Sequence, residues 1–117
     1  EHAGVMKLLI RRDGVNADIP DKKGRTLLSW AAAKGHGLVV KLLLEQPDIR
    51  PDLADKEGRT PLLWAARNGH TEVVNLLLTR DDVNVDMPDK KGRTSLTWAA
   101  AKGREAVVRL LLERQDV

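Results

Sequence analysis

Residues 55–78 read DKEGRTPLLWAARNGHTEVVNLLL, and this line occurs with small changes three times. Residues 21–36 read DKKGRTLLSWAAAKGH and residues 89–104 read DKKGRTSLTWAAAKGR, so Asp21, Asp55 and Asp89 open units spaced 34 residues apart. The second half of each unit repeats as well, as VVKLLLE from Val39, VVNLLLT from Val73 and VVRLLLE from Val107. The apolar run Val5, Met6, Lys7, Leu8, Leu9, Ile10 matches that second half. Self-similarity at a fixed period of this size marks an array of supersecondary units. The chain therefore divides into a half-repeat and connector (1–20), two full repeats (21–54 and 55–88) and an incomplete last repeat (89–117).

Each unit has a physical grammar. In Asp-Lys-x-Gly the Asp side chain bonds its own backbone, and Gly24, Gly58 and Gly92 supply a turn conformation. Thr26, Thr60 and Thr94 stand where a helix N-cap is needed, and Pro61 suits a first helical position. The first helix passes through Trp-Ala-Ala and stops near Gly35, Gly69 or Gly103. Glu72 and Glu105 favour the start of the second helix. That helix is apolar over a wide arc: Val73, Val74, Leu76, Leu77 and Leu78 cover more than one face. A single stripe suits one buried side, whereas a wide arc suits a helix held between neighbours on both sides. The expected fold is all-α, a solenoid of helix-turn-helix repeats.

Composition agrees. The 117 residues are 42% apolar and 32% charged, with three Trp and no Phe, Tyr or Cys, so the core is built from one motif used repeatedly. Without Cys there are no disulfides, zinc thiolates or thiol nucleophiles. No apolar run approaches the ~20 residues that cross a bilayer, and no signal peptide is visible. An intracellular, cytoplasmic setting is expected, with no membrane partner. Because the chain opens on Glu1, a fragment of a larger protein is expected.

Residues 58–78, GRTPLLWAARNGHTEVVNLLL, closely resemble the ankyrin repeat, and the resemblance extends along essentially the whole chain. The recurring Trp and the long Asp-rich connectors are similar to the near-identical ankyrin arrays of fungal receptor-like proteins with nucleotide-binding domains. There are departures. The unit is one residue longer than the usual ankyrin repeat. The extra residue lies in the connector, as in residues 45–52, where the usual Gly-Ala-Asp is missing. Ser29, Leu63 and Thr97 stand in place of the family's His, and Leu27 and Ser95 in place of its Pro. The tetratricopeptide repeat shares the period, but it calls for longer helices and a Tyr that this chain lacks.

The resemblance matches Trp30, Trp64 and Trp98 to the buried Leu of the ankyrin first helix, so they are expected in the core rather than as an exposed aromatic ladder. His36 and His70 fall in the Gly-His junction, where a hydrogen bond to backbone is expected rather than metal binding or catalysis. No nucleophile elbow, phosphate loop or zinc signature occurs, so neither an enzyme nor a cofactor or metal site is expected.

Ankyrin arrays bind through their turn tips and the exposed face of the first helices. By resemblance those positions are Lys22, Lys23, Arg25, Ala33 and Lys34; Lys56, Glu57, Arg59, Arg67 and Asn68; and Lys90, Lys91, Arg93, Ala101 and Lys102. Eleven of these are basic and only Glu57 is acidic, although the chain carries a net charge of just +3. The balancing acids, Asp13, Asp18, Asp48, Asp52, Asp81, Asp82 and Asp86, lie in the connectors. The expected function is a protein–protein interaction scaffold whose basic concave face selects a protein with an acidic surface. Two alternatives stand: nucleic-acid or other polyanion binding by the same face, and a structural spacer. The opposing possibility for the charges is that the arginines pair with Asp residues of neighbouring repeats and leave little field. The apolar residues of both terminal helices also imply head-to-tail self-stacking of the isolated chain.

Overall fold

The three Thr caps and the apolar second halves organise the chain into pairs of short helices. A computed structural model describes residues 20–115. Among them are α1 (Leu27–Lys34), α2 (Gly37–Leu44), α3 (Pro61–Asn68), α4 (Thr71–Leu78), α5 (Ser95–Ala101) and α6 (Glu105–Gln115). No strand occurs among the described residues. The all-α, ankyrin-type repeat fold is thus the observed one. No helix among the described residues is long and apolar enough to cross a membrane.

Local chemistry sets the helix ends. The side chains of Thr26, Thr60 and Thr94 accept from the backbone N–H of Ser29, Leu63 and Thr97, each at 3.2 Å, which satisfies one orphan donor per helix. Pro61 opens α3. Gly58 has φ +79°, and a Cβ there would lie 2.8 Å from the backbone N of Lys90, so both the turn conformation and the next unit's approach demand glycine.

First helices stack on first helices, α1 on α3 and α3 on α5, while second helices stack as α2, α4 and α6. Between the two layers lie Leu28, Leu62, Val40, Leu43, Val74 and Leu77, all essentially inaccessible. Ile49 and Val83 drop from the connectors into the same core. One buried aliphatic residue in each of these two connectors fixes its geometry.

Hydrogen bonds cross from unit to unit at matching places. Lys56 N donates to Lys23 O and Lys90 N to Glu57 O, which ties successive turns together. Arg80 donates to Leu44 O at 2.7 Å, and Arg114 makes the matching bond to Leu78 O. Each guanidinium thereby satisfies a carbonyl at the end of the preceding unit's second helix. His70 Nε2 donates to Ala33 O at 3.0 Å, the backbone bond expected of the junction His. Arg104 does the same work for the next pair, with Nε 3.1 Å from Arg67 O. His36 is exposed.

The trailing helix α6 buries Val107 and Leu111, half-buries Val108 and Leu110, and leaves Leu112 45% exposed. The apolar residues expected at the leading end, Val5, Met6, Leu8, Leu9 and Ile10, lie outside the described residues, as do Asp13 and Asp18.

Candidate recognition surface

The surface is built from the turns upward. Asp55 Oδ1 accepts from the backbone N–H of Glu57 and Arg59, both at 2.9 Å, and Asp21 and Asp89 close their turns in the same way. The second carboxylate oxygen reaches the helix that follows. Trp30, Trp64 and Trp98 each donate their indole N–H to Oδ2 of the Asp nine residues earlier, at 3.3, 3.1 and 3.1 Å. These bonds act on the acids. The backbone N–H of Arg25, joined by the Trp30 indole, holds the Asp21 carboxyl at about 2. Burial pushes Asp89 up, but the backbone N–H of Arg93 and the Trp98 indole outweigh it and hold that carboxyl at about 2 as well.

The tryptophans therefore do not occupy the core. Trp30 is 42% exposed, and Trp64 and Trp98 are half-buried. The reason is helical geometry. Leu28 and Leu62 take the buried leucine position of the first two units, and each Trp lies two residues further on, about 200° around the helix. That rotation turns the indole toward its own turn, where the Asp carboxylate supplies the partner that its N–H requires.

Cations cover the indole faces. Arg25 lies 4.6 Å and Lys34 5.8 Å from the Trp30 ring centroid. Arg59 lies 5.0 Å from Trp64 and 5.3 Å from Trp98, and Arg67 lies 5.7 and 4.9 Å from the same two rings. Arg93 and Lys102 lie 4.4 and 5.9 Å from Trp98. All fall within cation–π range. The space between Trp64 and Trp98 is thus taken by two guanidinium groups. The first unit carries Ala33 where the second carries Arg67, and a groove of about 200 Å³ remains between Trp30 and Trp64, lined also by Ser29, Arg25 and Lys34.

The positions expected to meet a partner fall into two sets. Lys22, Lys23, Lys34, Lys56, Glu57, Lys90, Lys91, Ala101 and Lys102 are exposed, whereas Arg25, Ala33, Arg59, Arg67, Asn68 and Arg93 are half-buried. The half-buried arginines have internal work. Arg25 and Arg93 pair with the turn Asp of their own unit, Asp21 at 3.2 Å and Asp89 at 3.1 Å, and Arg59 lies 3.3 Å from Glu57. The pairing runs within each unit rather than between neighbouring repeats, because the side chain folds back over its own turn and indole. Asn68 donates to Ala33 O at 2.9 Å and accepts from Arg67. Among the connector acids, Asp82 pairs with Arg80 at 2.8 Å, and Asp52 accepts from Asn84 N at 2.7 Å while burial raises its pKa.

Sequence reasoning missed the indole–carboxylate bond, the cation-covered rings and the open groove. The nine-residue interval from Asp to Trp was the available signal, together with the exchange of Ala33 for Arg67. The described residues hold no cluster of His or acidic side chains suited to a metal ion.

Comparison with known families matches residues 48–117 to "Ankyrin repeats (3 copies)" and residues 23–56 to "Ankyrin repeat". No curated protein matches the chain. Six helices in stacked pairs among the described residues, turns tied backbone to backbone and the family match over more than half of the chain converge: the chain belongs to the ankyrin-repeat family, whose repeats generally mediate protein–protein interaction.

Proposed function

We propose that the chain recognises a partner protein with an acidic surface through the turn tips and the face formed by the three tryptophans. One observation carries this reading. The turn carboxylates stay ionised but are engaged by backbone N–H and indole groups, while Lys22, Lys23, Lys56, Lys90 and Lys91 stand exposed on the same tips with Glu57 as the exposed acid among them. Cations outnumber acids on the tips and set a positive surface potential, which chiefly governs association rate and partner choice. The units 21–54, 55–88 and 89–117 are the modules of this surface, and each contributes one turn tip and one indole.

The test is selection of random dodecapeptides displayed on phage against the 117-residue chain. Acid-rich peptides are expected to be enriched. A variant carrying Lys22→Glu, Lys56→Glu and Lys90→Glu is expected to lose them and to show a flatter salt dependence. Unchanged enrichment in that variant overturns the reading. One exposed and two half-buried tryptophans beside lysines also favour single-stranded nucleic acid, so a labelled oligonucleotide forms a second arm. Tighter binding of the oligonucleotide than of any selected peptide, with a steep logarithmic salt slope, moves the conclusion to nucleic acid.

A further inference from the structure

The spaces on either side of Trp64 are each walled by two indoles and differ in contents. On one side Arg67 places a planar guanidinium within 5.7 Å of Trp64 and 4.9 Å of Trp98. On the other side Ala33 leaves about 200 Å³ open between Trp30 and Trp64. The filled space, where Arg67 lies beside Arg59, is an internal example of what the open one accepts: one further planar group between two indoles. The open volume is well below the several hundred Å³ of a small-molecule site and suits a single side chain.

The lining narrows the chemistry. Arg25 and Lys34 border the groove, so the charge of a cationic ligand gains nothing there. An aromatic ring does gain: its negative face complements both cations and its edge complements the indoles. Ser29 lines the groove at 2% exposure, and its Oγ has no hydrogen-bond partner. A buried hydroxyl without a partner is costly, and a ligand that brings a hydrogen-bonding end into the groove removes that cost after one rotation of the Ser29 side chain. The second unit has Leu63 at this position and offers no such group. Exposed Lys22, Lys23 and Lys56 surround the site on the turn tips and favour acidic residues on either side of the inserted ring.

We propose that the groove between Trp30 and Trp64 takes the side chain of one tyrosine from an acidic segment of the partner, with its ring beside the indoles and its hydroxyl at Ser29. This deepens the reading of the face as an acidic-protein surface and rests on it. A nucleic-acid strand fits less well, because successive bases need successive open spaces and the space beyond Trp64 is occupied.

The experiment uses the whole chain and three pentapeptides, Glu-Glu-X-Glu-Glu with X Tyr, Phe or Ala. Binding is read by tryptophan fluorescence and by the NMR shifts of the indole N–H protons. The Tyr peptide is expected to bind about 30-fold more tightly than the Ala peptide, the range of an interface hot spot. Phe is expected to lie between them, and Ser29→Ala to bring Tyr down to the level of Phe. Ala33→Arg reproduces in the first unit what the second already holds, so it is expected to remain folded by circular dichroism and to erase the preference for Tyr. Arg67→Ala is expected to open a second space between indoles that takes Tyr and Phe equally, because Leu63 stands there in place of Ser29. Equal binding of the Tyr and Ala peptides overturns the pocket while leaving the acidic-surface reading intact. Failure of all three peptides overturns both. Loss of oligonucleotide binding in Ala33→Arg, with no peptide bound to the parent chain, assigns the groove to a base instead and overturns the proposal.

Discussion

Between Trp30 and Trp64 a groove stays open, whereas between Trp64 and Trp98 two guanidinium groups lie against both rings. The two spaces share everything that holds them in place: the turn Asp bonded to two backbone N–H groups, the indole bonded to that Asp, the Thr cap and the leucines beneath. They differ in filling because residue 33 is Ala and residue 67 is Arg, and in lining because Ser29 and Lys34 are matched by Leu63 and Asn68. An array of near-identical units thus separates scaffold positions from surface positions, and one exchange at a surface position turns a filled space into an empty one. The division is testable. Scaffold changes should be costly in either unit, and surface changes should alter binding with little effect on folding.

The largest effect is expected in the shared layer. Leu77 is inaccessible on α4, which packs on both α2 and α6. Leu77→Ala should destabilise by about 2–5 kcal/mol in urea titration, as for other buried leucines. A cost below about 1 kcal/mol would mean that the layer does not form one core.

The turns come next and sharpen the contrast between covered and uncovered units. A Cβ at Gly58 meets the Lys90 backbone N at 2.8 Å, whereas a Cβ at Gly92 meets nothing within 4 Å, and both residues have positive φ. Gly92→Ala should cost about 1–2 kcal/mol from backbone conformation alone. Gly58→Ala should cost more, because the turn-to-turn bond from Lys90 to Glu57 must also shift. Equal costs would show that successive turns are not closely coupled.

Trp64→Ala follows. A fully buried large aromatic costs about 3–5 kcal/mol on truncation. Trp64 is half-buried, and its losses are one charge-assisted hydrogen bond and its cation contacts, together about 1–2 kcal/mol. A cost in the buried range would return the indole to the core.

Acid probes the same turns by removing charge without removing atoms. The carboxyls of Asp21 and Asp89 sit at about 2, below the ordinary 3.8, so folding favours their ionised forms. Their stabilisation is present above the unfolded value and is lost as pH falls from there through about 2. Asp52, raised by burial, works in the opposite sense. The thermal midpoint should hold steady at mildly acidic pH and fall only below about 4. A fall beginning near neutrality would implicate other groups.

The scaffold was legible in the sequence for a definite reason. Period, Thr caps, turn Asp and Gly are local chemistry, and repetition multiplies a weak local signal. The site was less legible. Matching the Trp to a buried leucine followed the family resemblance, yet Leu28 already fills that role, and Trp30 lies two residues beyond it, on a different face. Only the bond from the indole to Asp21, nine residues earlier, reveals where that face points. Whether the arginines beside the Thr caps are free or paired is not legible from sequence, because their partners, a carboxylate and an indole of their own unit, meet them only when the turn folds back. The same fold-back hid the groove: the exchange of Ala33 for Arg67 is plain in the sequence, but its meaning depends on the position facing two rings.

The smallest effect on folding is expected where the effect on binding is largest. Ala33→Arg inserts a guanidinium into the groove, and Arg67→Ala removes one from the filled space. Contacts with two indole faces favour the Arg by about 0.5–1 kcal/mol at a partly exposed site. Against this stands desolvation: Arg67 Nε is buried with no hydrogen-bond partner, and Arg59 Nε is likewise buried and unpartnered beside the same rings. The two terms nearly cancel, and each variant should change stability by no more than about 0.5 kcal/mol, the range of ordinary surface substitutions. Urea titration of both variants beside the parent decides the matter. A loss above about 1.5 kcal/mol in Arg67→Ala would make Arg67 a bolt between repeats. The difference between the two spaces would then be a matter of stability, not of recognition. Changes within the expected range, with the filled space emptied and the empty one filled, would show that residues 33 and 67 are free to differ because the scaffold beneath does not depend on them.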